Sequence, residues 1–514
     1  MQNALRTEIK RLSRKAFYKI QKQAEIEQKY RDQFEKRTGT TPGISLKTAK
    51  PFLSRHFDPA YCSRNANFLA KVIWYKVLKK AYEPSPAMRI ALPKPDGTKR
   101  HVMAFSIPDA ALANVVLRRT RSRNIKRLSP SSFAYHPDKN VFDAIISLRE
   151  FEPESQLFAV QIDFEKYFDN IPSWYLKKKI DDASLISLTP HERHIFQRFI
   201  YHRYADREDY GKGVFARKHT GTPQGSSVSL LLANLANHEL DTALTSSAGK
   251  FVRFADDVVA LCNNYEQAQE IEKCFSLHCR KSGLVINKKK SPGIAIIAPS
   301  EGEIRTFSGF DYLGYRFTND GLTVPDRVKR KVIFKISRLI NLYLVHYLHV
   351  GFNRERAGVA PDYDWDLLGC IYEMRNYLYG GLAEADLAAF IQDGLKLPRM
   401  KGLMGFYCLI DDPSTFREID GQMLSLLRRA MVTRNQILAT KYKAACPNPS
   451  NRALATGDWL NLSVWRGGEP PEARVPSLVR GWRAARKHFF TFGLEDVQPP
   501  GYGGYSAANS GELF

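Results

Sequence analysis

Long apolar runs and paired cysteines are both missing from this sequence. No segment approaches the roughly eighteen uninterrupted apolar residues of a membrane-spanning helix, and the basic N-terminus is not followed by the apolar run of a signal peptide. The seven cysteines form no C-x-x-C pair, which argues against a disulfide framework or a structural zinc site and is typical of a reducing cytosol. We therefore expect a soluble, cytoplasmic protein without a membrane partner.

Acidic residues are too few to balance the basic ones. Lys and Arg total 77 and Asp and Glu total 53 among 514 residues, so the net charge is +24 (77 − 53). A charge of this sign favours a polyanionic partner. The apolar content of 44% is enough to fill the cores of the two or more lobes that the length predicts.

The first 45 residues are predicted to form a basic helical arm. Apolar residues such as Leu5 and Ile9 recur at intervals of three or four, which is the period of an amphipathic helix. We expect this helix to cover residues 1–36 and to end at the GTTPG of 39–43. Two interpretations stay open, a surface helix packed on the next lobe or an arm for oligomerisation or RNA contact.

The remaining chain divides into three predicted parts. Residues 46–320 begin with a hairpin, in which Pro-Asp-Gly joins two short strands between Tyr82 and Arg100. Short apolar strands then alternate with helices, which predicts an α/β sheet domain. Residues 321–442 have helical patterns, whereas 443–514 are rich in Pro, Gly and Trp without a clear period. We expect the latter to be irregular, with a flexible terminus.

Three aspartates follow or interrupt apolar strands. Asp163 ends the run LFAVQID, and Asp256 and Asp257 interrupt FVRFADDVVALC, which predicts a tight hairpin with acids at its tip. Adjacent carboxylates repel each other unless a cation neutralises them, so the pattern indicates a divalent metal site. Two-metal phosphoryl transfer requires such a carboxylate cluster. The alternative for Asp256 and Asp257 is a solvated β-turn.

The motifs around these acids resemble those of the reverse transcriptase family. Seven blocks follow the family's order: LPKPDGTKRHV (92–102), SSFAYHPDKNVFDAI (131–145), VQIDFEKYFDNIP (160–172), GTPQGSSVSLLLANLANHELD (221–241), FVRFADDVVAL (251–261), GLVINKKKS (283–291) and FDYLGYRF (310–317). The resemblance implies an α/β right-hand polymerase fold, with fingers, palm and a central antiparallel sheet in 46–320 and a helical thumb and extension in 321–442. Phe254 departs from the family, which usually has Tyr before the x-Asp-Asp of this block.

The resemblance also implies an RNA-directed DNA polymerase that uses two Mg²⁺ ions, or Mn²⁺ in their place. Asp163, Asp256 and Asp257 match the family's metal ligands, and the backbone carbonyl of Phe164 is a further oxygen donor beside the substrate. Phe168 matches the steric gate, a ring under the sugar that leaves no room for a 2′-hydroxyl. The expected substrates are therefore deoxynucleoside triphosphates, and a core ring is the alternative for Phe168.

Other residues match the family's nucleotide and primer contacts. Lys94 and Arg100 flank the Pro-Asp-Gly turn and suit the incoming triphosphate. Gln224 matches a residue near nucleotide and template, and Gly225 would let the backbone approach them. Lys290 matches a lysine that could assist pyrophosphate departure, with a solvated member of the KKK run as the alternative. The expected primer grip is Tyr312, Leu313 and Gly314.

Basic clusters support a path for nucleic acid. They cover residues 118–127, 326–338 and 480–490, and the last contains Trp482, which could stack on bases. A single cluster would be explained by a solvated face, but three on a chain of this net charge favour RNA binding. The expected partners are a noncoding RNA as template or scaffold, the DNA product and further copies of the same chain.

The auxiliary motifs of mobile reverse transcriptases are not recognisable here. The sequence has no C-x-x-C…H endonuclease finger, RNase H acid set or integrase, and no Asn-Ala-x-x-His signature of retron enzymes. It is therefore similar to the bacterial "unknown group" of defence-associated, abortive-infection-like reverse transcriptases, and among these to type 9. A group II intron maturase and a catalytically idle RNA-binding protein are the alternatives.

That lineage implies antiphage defence and, in several members, priming of DNA synthesis by a protein hydroxyl. Tyr502 and Tyr505 lie among glycines in the last residues of the sequence, and they are the candidate priming residues. Ser506 and Ser510 are rival hydroxyls, and a terminus without a role is the alternative.

Overall fold

The structure is a computed structural model, and the chain divides into two units. It describes residues 1–43, 52–94, 97–136, 138–154, 156–298, 306–353, 363–394, 400, 402–465 and 469–493. The first unit holds residues 1–24 and the described residues from 52 to 308, and the second holds 25–43 and the described residues from 309 onward.

The first unit combines helices with two sheets. Its helices are α1 (Gln2–Thr38, whose last part belongs to the second unit), α2 (Pro59–Arg64), α3 (Ala66–Leu78), α4 (Ile107–Asn124), α5 (Val141–Arg149), α6 (Tyr167–Asn170), α7 (Ser173–Asp181), α8 (Pro190–Ile200), α9 (Arg207–Tyr210), α10 (Val228–Ala236), α11 (His238–Ser247) and α12 (Tyr265–Ser282). Its strands are β1 (Ala87–Pro93), β2 (Lys99–Ala104), β3 (Leu157–Ile162), β4 (Arg203–Asp206), β5 (Ala216–Arg217), β6 (Lys250–Phe254), β7 (Asp257–Cys262) and β8 (Gly293–Ile297).

The central sheet has the strand order β6-β7-β3-β8 and is antiparallel throughout. Its middle strands read LFAVQI and DVVALC, and they are almost wholly buried because α12 packs on both. Ile162 pairs with Val258, so the end of β3 lies beside the start of β7. The predicted α/β class with a central antiparallel sheet is confirmed.

The second sheet of this unit contains the predicted hairpin. Strands β1 and β2 pair from Met88–Ala104 to Pro93–Lys99, and β4 and β5 extend the sheet on the other side of β1. The amide of Gly97 donates to the carbonyl of Lys94, and Gly97 adopts φ +79°, a conformation that glycine tolerates without strain.

Helix α1 is attached to the first unit through its first turns. Leu5 and Ile9 are buried in the core, and the Glu8 carboxylate accepts hydrogen bonds from Arg11, Asn114 and Arg118. Burial by itself would raise the pKa of Glu8, but these donors lower it to about 2. The predicted helix is confirmed, and its opening turns match the interpretation of a helix packed on a neighbouring lobe.

The second unit is mainly helical, as the sequence predicts. Its elements are β9 (Phe310–Tyr312), β10 (Tyr315–Thr318), β11 (Gly321–Thr323), α13 (Asp326–Leu344), α14 (Trp365–Tyr379), α15 (Glu384–Asp393), α16 (Leu403–Phe406), α17 (Ser414–Ile437), α18 (Asn451–Thr456) and α19 (Leu478–Phe492). Helix α13 packs against α14 and α17, and the three strands form one antiparallel sheet. None of the described helices is both long enough and apolar enough to cross a bilayer.

Helix α19 corrects the prediction that 443–514 is irregular. Its N-terminus is capped by Asp420, which accepts from the backbone amides of Leu478 and Val479. Gly481 lowers the helix propensity of the sequence, but it is required for packing. A Cβ atom there would lie 2.6 Å from the Tyr379 ring and 2.7 Å from the Met404 side chain. The local sequence therefore does not predict this helix, which tertiary contacts stabilise.

Candidate active site

Asp163 directly follows β3, and the segment after α12 holds its backbone in place. The amide of Asn287 donates to the Asp163 carbonyl (2.8 Å), and Ser291 Oγ accepts from the Asp163 amide (3.0 Å). The carboxylate accepts from Asn287 Nδ2 at 3.2 Å, and its Oδ2 lies 3.7 Å from Lys290 Nζ. The motif INKKKS thus aligns the aspartate and places a cation beside it.

Asp256 lies close enough to Asp163 for the two charges to interact. Burial raises the pKa of Asp256, and the negative charge of Asp163 raises it further, against the opposing effects of Lys290 and Arg100. Burial likewise raises the pKa of Asp163, against Lys290 and Asn287. The fold therefore brings four of the predicted residues together, two repelling carboxylates and two cations.

The two aspartates of the FADD motif occupy different positions in the β6–β7 hairpin. Phe254 pairs with Asp257 across β6 and β7, so Ala255 and Asp256 form the tip and Asp257 begins β7. Ala255 adopts φ +62°, which costs an L-residue roughly 1–2 kcal/mol. Backbone strain of this kind persists only where the surroundings hold it, and it is common at functional sites.

A buried arginine, which the sequence did not reveal as functional, holds this turn. Arg253 is 1% exposed, and its guanidinium donates to both carboxylate oxygens of Asp241 at 2.7 and 2.6 Å. Its Nη1 also donates to Asn234 Oδ1 and to the carbonyl of Ala255, each at 3.0 Å. The only sequence signal was a charged residue inside the apolar run FVRF, since its partners lie on α10 and α11.

The donor set at this site fits a divalent cation of the Mg²⁺ type. Among the described residues, no group of three or more acidic, His or Cys side chains is placed to hold a metal by itself. Mg²⁺ is commonly held by one or two carboxylates and takes its other ligands from water and substrate phosphates. Asp163 and Asp256 supply such oxygens, and a cation would relieve their repulsion.

The loop GTPQG runs between α6 and β2. The amides of Gly221 and Thr222 donate to the carbonyls of Ile171 and Phe168, both at 2.7 Å. Gly225 adopts φ +99°, and a Cβ atom there would lie 2.0 Å from the carbonyl oxygen of Met103. The close approach at Gly225 is therefore to β2, and its predicted contact with a nucleotide stays a prediction.

Three buried polar atoms without partners lie on this loop and on the two residues after it. Gln224 Nε2 donates to Asp169 Oδ1 at 3.0 Å, but Gln224 Oε1, Ser226 Oγ and Ser227 Oγ are buried and have no hydrogen-bond partner within the described part of the chain. Each unsatisfied buried group costs about 1–3 kcal/mol. Such atoms are available for hydrogen bonds with water or with a ligand.

The two phenylalanines after Asp163 have different environments. Phe164 is buried, with its ring 6.1 Å from that of Phe275, so its side chain belongs to the core and only its backbone is available for the predicted role. Phe168 is partly buried, packs edge-on against Tyr167 and borders the core. The steric-gate role of Phe168 stays a prediction. Lys94 is exposed next to the hairpin turn.

The predicted primer-grip residues form a tight turn in the second unit. Tyr312 pairs with Tyr315, while Leu313 and Gly314 adopt φ +46° and +88°. Tyr312 and Leu313 are buried in that unit. Their role as a primer grip stays a prediction, and the candidate priming residues Tyr502 and Tyr505 lie outside the described residues.

The three basic clusters lie on helices, but the last has internal partners. Residues 118–127 begin on α4, 326–338 lie on α13 and 480–490 lie on α19. Trp482 Nε1 donates to the Ile410 carbonyl, and Arg486 bonds to the same carbonyl and to Asp411. Trp482 is partly buried and its indole N–H is bonded within the second unit, while stacking of its ring on bases stays a prediction.

Comparisons with known proteins agree with the motif order. Residues 92–317 match the family model "Reverse transcriptase (RNA-dependent DNA polymerase)". Protein YkfC of Escherichia coli K12 is 24% identical over 177 residues, which cover 33% of this chain and 43% of YkfC. The chain thus aligns with less than half the length of this curated relative.

Several polymerase structures also align at low similarity. Apo telomerase from Candida tropicalis, truncated from its C-terminal domain, aligns with a TM-score of 0.35 and 14% identity over 52% of this chain and 67% of its own. Candida albicans telomerase with a fragment of telomeric RNA aligns with a TM-score of 0.36 and 13% identity over 78% and 69%. The Sicinivirus RNA-dependent RNA polymerase aligns with a TM-score of 0.38 and 11% identity over 73% and 70%.

The matched segment begins at the first quoted motif and ends at the last. It contains the central sheet, both carboxylates that the fold brings together and the two cations beside them. Residues 92–317 of this chain are a reverse transcriptase domain.

Proposed function

We propose that this protein is an RNA-directed DNA polymerase, a nucleotidyltransferase that joins deoxynucleotides on an RNA template. The observation that carries the proposal is the meeting of Asp163 and Asp256 at one end of the central sheet, inside the matched domain. These residues, with Asp257, would hold two Mg²⁺ ions, for which Mn²⁺ could substitute. When bound, such ions stabilise the negative charge that develops on the phosphoryl oxygens during transfer.

The side chains around the carboxylates suit the proposed reaction. The primer 3′-hydroxyl oxygen bonds to the α-phosphorus of the triphosphate, and the bond from that phosphorus to pyrophosphate breaks. Arg100 and Lys290 interact electrostatically with Asp256 and supply positive charge for the triphosphate and the departing pyrophosphate. Lys94, exposed at the hairpin turn, adds a further cation for the phosphates.

We propose that residues in and beside the GTPQG loop select the substrate. Phe168, whose carbonyl is fixed by Thr222, would place its ring under the sugar and exclude a 2′-hydroxyl. Gln224 and the two serines after Gly225 offer their unsatisfied polar atoms to the nucleotide or template. Tyr312, Leu313 and Gly314 would hold the primer terminus.

The biological setting is part of the same proposal. We infer that a noncoding RNA is the template or scaffold and that the enzyme acts in bacterial antiphage defence in the cytoplasm as a homo-oligomer. The similarity to defence-associated enzymes and the net charge of +24 support this setting. Sequencing the nucleic acid that copurifies with the protein tests it, because a group II intron RNA would instead identify a maturase.

Primer extension on an RNA template tests the catalytic proposal. The full chain should extend an annealed DNA primer with deoxynucleotides and Mg²⁺, and chelation should stop the reaction. Asp256→Asn should lower kcat by at least about 100-fold, since it removes transition-state charge stabilisation. Asp138→Asn changes an exposed aspartate and is the matched control. Wild-type activity in Asp256→Asn, or no extension by the wild type, would refute the assignment.

A further inference from the structure

A row of basic side chains runs along α1 beyond its buried first turns. Six exposed Lys and Arg residues lie between Glu8 and Glu25 with no acid among them. This basic stripe consists of Lys10, Arg11, Arg14, Lys15, Lys19 and Lys22. Residues four apart are neighbours on a helix surface, so two adjacent rows form, 10-14-18-22 and 11-15-19. At 1.5 Å per residue the stripe is about 18 Å long.

The stripe has almost no compensation within the protein. The side chains of Lys10, Arg14, Lys15 and Lys19 form no hydrogen bond or ion pair with any other described residue. Like charges four residues apart, such as Lys10 with Arg14 and Lys15 with Lys19, destabilise a helix. The charges of the stripe therefore lower the stability of α1. A bound anion would neutralise this repulsion.

An exposed aromatic ring lies inside the stripe. Tyr18 occupies the row between Arg14 and Lys22 and is 64% exposed, and Lys22 Nζ is 5.9 Å from its ring centre. The neighbouring Phe17 is 44% exposed. Aromatic rings among cations are the combination that binds single-stranded nucleic acid, because the cations follow the phosphates and each base offers a face for stacking.

The positive surface continues from α1 onto α4. Glu8 bonds to both Arg11 and Arg118, and these two side chains remain about half exposed. Arg119 follows on α4 and is exposed as well. One buried carboxylate thus orders two arginines at the start of the stripe and joins it to the first basic cluster.

We propose that the basic stripe binds the backbone of a single-stranded RNA, with Tyr18 stacking on a base. A second copy of the chain fits poorly, since a two-fold contact would place six cations against six cations. A membrane surface fits less well, because the apolar face of α1 is buried in the first unit at Leu5 and Ile9, which leaves Phe17 and Ile20 rather than a long apolar face exposed beside the stripe. The inference rests on the proposed function only for the choice of RNA, and none of the carboxylate-site residues takes part.

Fluorescence anisotropy with a labelled oligouridine, without nucleotides, tests this inference. The variant Arg14→Gln/Lys15→Gln/Lys19→Gln/Lys22→Gln should bind about tenfold or more weakly near 50 mM salt. Its plot of log K against log salt should be shallower by about 3, because each lost phosphate contact removes about 0.7 from the slope. Tyr18→Leu should weaken binding about fivefold or more through lost stacking.

Two controls keep the result interpretable. Lys71→Gln/Lys76→Gln/Lys79→Gln/Lys80→Gln removes the same four exposed charges from the end of the first unit's α3 region, lowering the net charge from +24 to +20 (24 − 4), and should bind like the wild type. The charge-conserving variant Arg14→Lys/Lys15→Arg/Lys19→Arg/Lys22→Arg should also retain binding and the slope.

The inference is overturned if the stripe variant keeps the wild-type slope, or if the α3-region control loses affinity to the same extent. It is also overturned if the stripe variant instead changes only the sedimentation coefficient or only the binding of anionic lipid vesicles. A wild type without polymerase activity but with stripe-dependent binding would refute the proposed function and leave this inference standing.

Discussion

At the scale of single residues, the position of Asp256 depends on a side chain that touches no predicted substrate. The turn that carries Asp256 contains Ala255 in a left-handed conformation, and Arg253 binds the Ala255 carbonyl. Arg253 is fixed in turn by Asp241 and Asn234. Arg253 is therefore a positioning residue, and its effect on catalysis should be separable from its effect on folding.

Arg253→Met should impair both stability and turnover. Removing one partner of a buried ion pair costs about 3–5 kcal/mol, because it leaves Asp241 buried and unpaired. The double variant Arg253→Met/Asp241→Leu should recover part of this stability in urea unfolding, yet its kcat should stay low with little change in KM, since the Ala255 carbonyl still lacks its donor.

An exposed arginine on α12 provides the control for this prediction. Arg280→Met should change the unfolding free energy by less than about 0.5 kcal/mol and leave kcat unchanged. If the double variant regains wild-type kcat together with stability, the arginine acts only on folding and does not position the turn.

Phe168→Ala should admit ribonucleotides. The predicted role of this ring is steric exclusion, so discrimination between deoxy- and ribonucleotides should fall by about tenfold or more while the Mg²⁺ dependence stays unchanged. The ratio of kcat/KM for the two nucleotides measures the effect. Phe168→Tyr keeps the ring and should keep the discrimination, whereas unchanged selectivity in the alanine variant would show that Phe168 is a core ring.

At the scale of elements, the attachment of α1 to the first unit depends on the ionised form of Glu8. Its pKa falls from 4.5 to about 2 in the folded protein, so the stabilisation is fully present above pH 4.5 and is lost as the pH falls toward 2. Glu8→Gln should lower the unfolding free energy at pH 7 by about 2 kcal/mol. In urea unfolding at about pH 3, the difference between variant and wild type should be clearly smaller.

Glu25→Gln removes an exposed carboxylate from the same helix and provides the comparison. It should leave the stability of the protein nearly unchanged at both pH values. A constant difference between Glu8→Gln and the wild type across this pH range would contradict the pKa shift of Glu8.

The elements also show which parts of the fold are encoded locally. Helix α1, the β1–β2 hairpin and the strands before Asp163 and Asp257 follow from apolar period and turn residues, and the structure has them where the sequence predicts them. The partners of Glu8 and Arg253 on other elements could not be predicted, because Arg118 lies 110 positions from Glu8 and Asp241 lies on α11. The sequence does not predict α19, because Gly481 lowers the local helix propensity and is present for its close packing against neighbouring side chains.

At the scale of the whole molecule, the initiation of synthesis is predicted to depend on a side chain that lies outside the described residues. A priming side chain must bring its oxygen to about 3 Å from the α-phosphorus of the first nucleotide. Glycines at 501, 503 and 504 flank Tyr502 and Tyr505 in the sequence, and a phenol is a workable nucleophile when it loses its proton. The phenol oxygen would bond to that phosphorus, and pyrophosphate would leave.

The variant Tyr502→Phe/Tyr505→Phe should therefore lose DNA synthesis without an added primer but extend an annealed primer at the wild-type rate. Phenylalanine keeps the rings and removes only the two hydroxyl groups, so general damage to the enzyme would lower both reactions. Mass spectrometry of the protease- and nuclease-treated wild type should find a nucleotide on one of the two tyrosines. Ser506→Ala/Ser510→Ala tests the rival hydroxyls, and full unprimed synthesis by the tyrosine variant would exclude both tyrosines as primers.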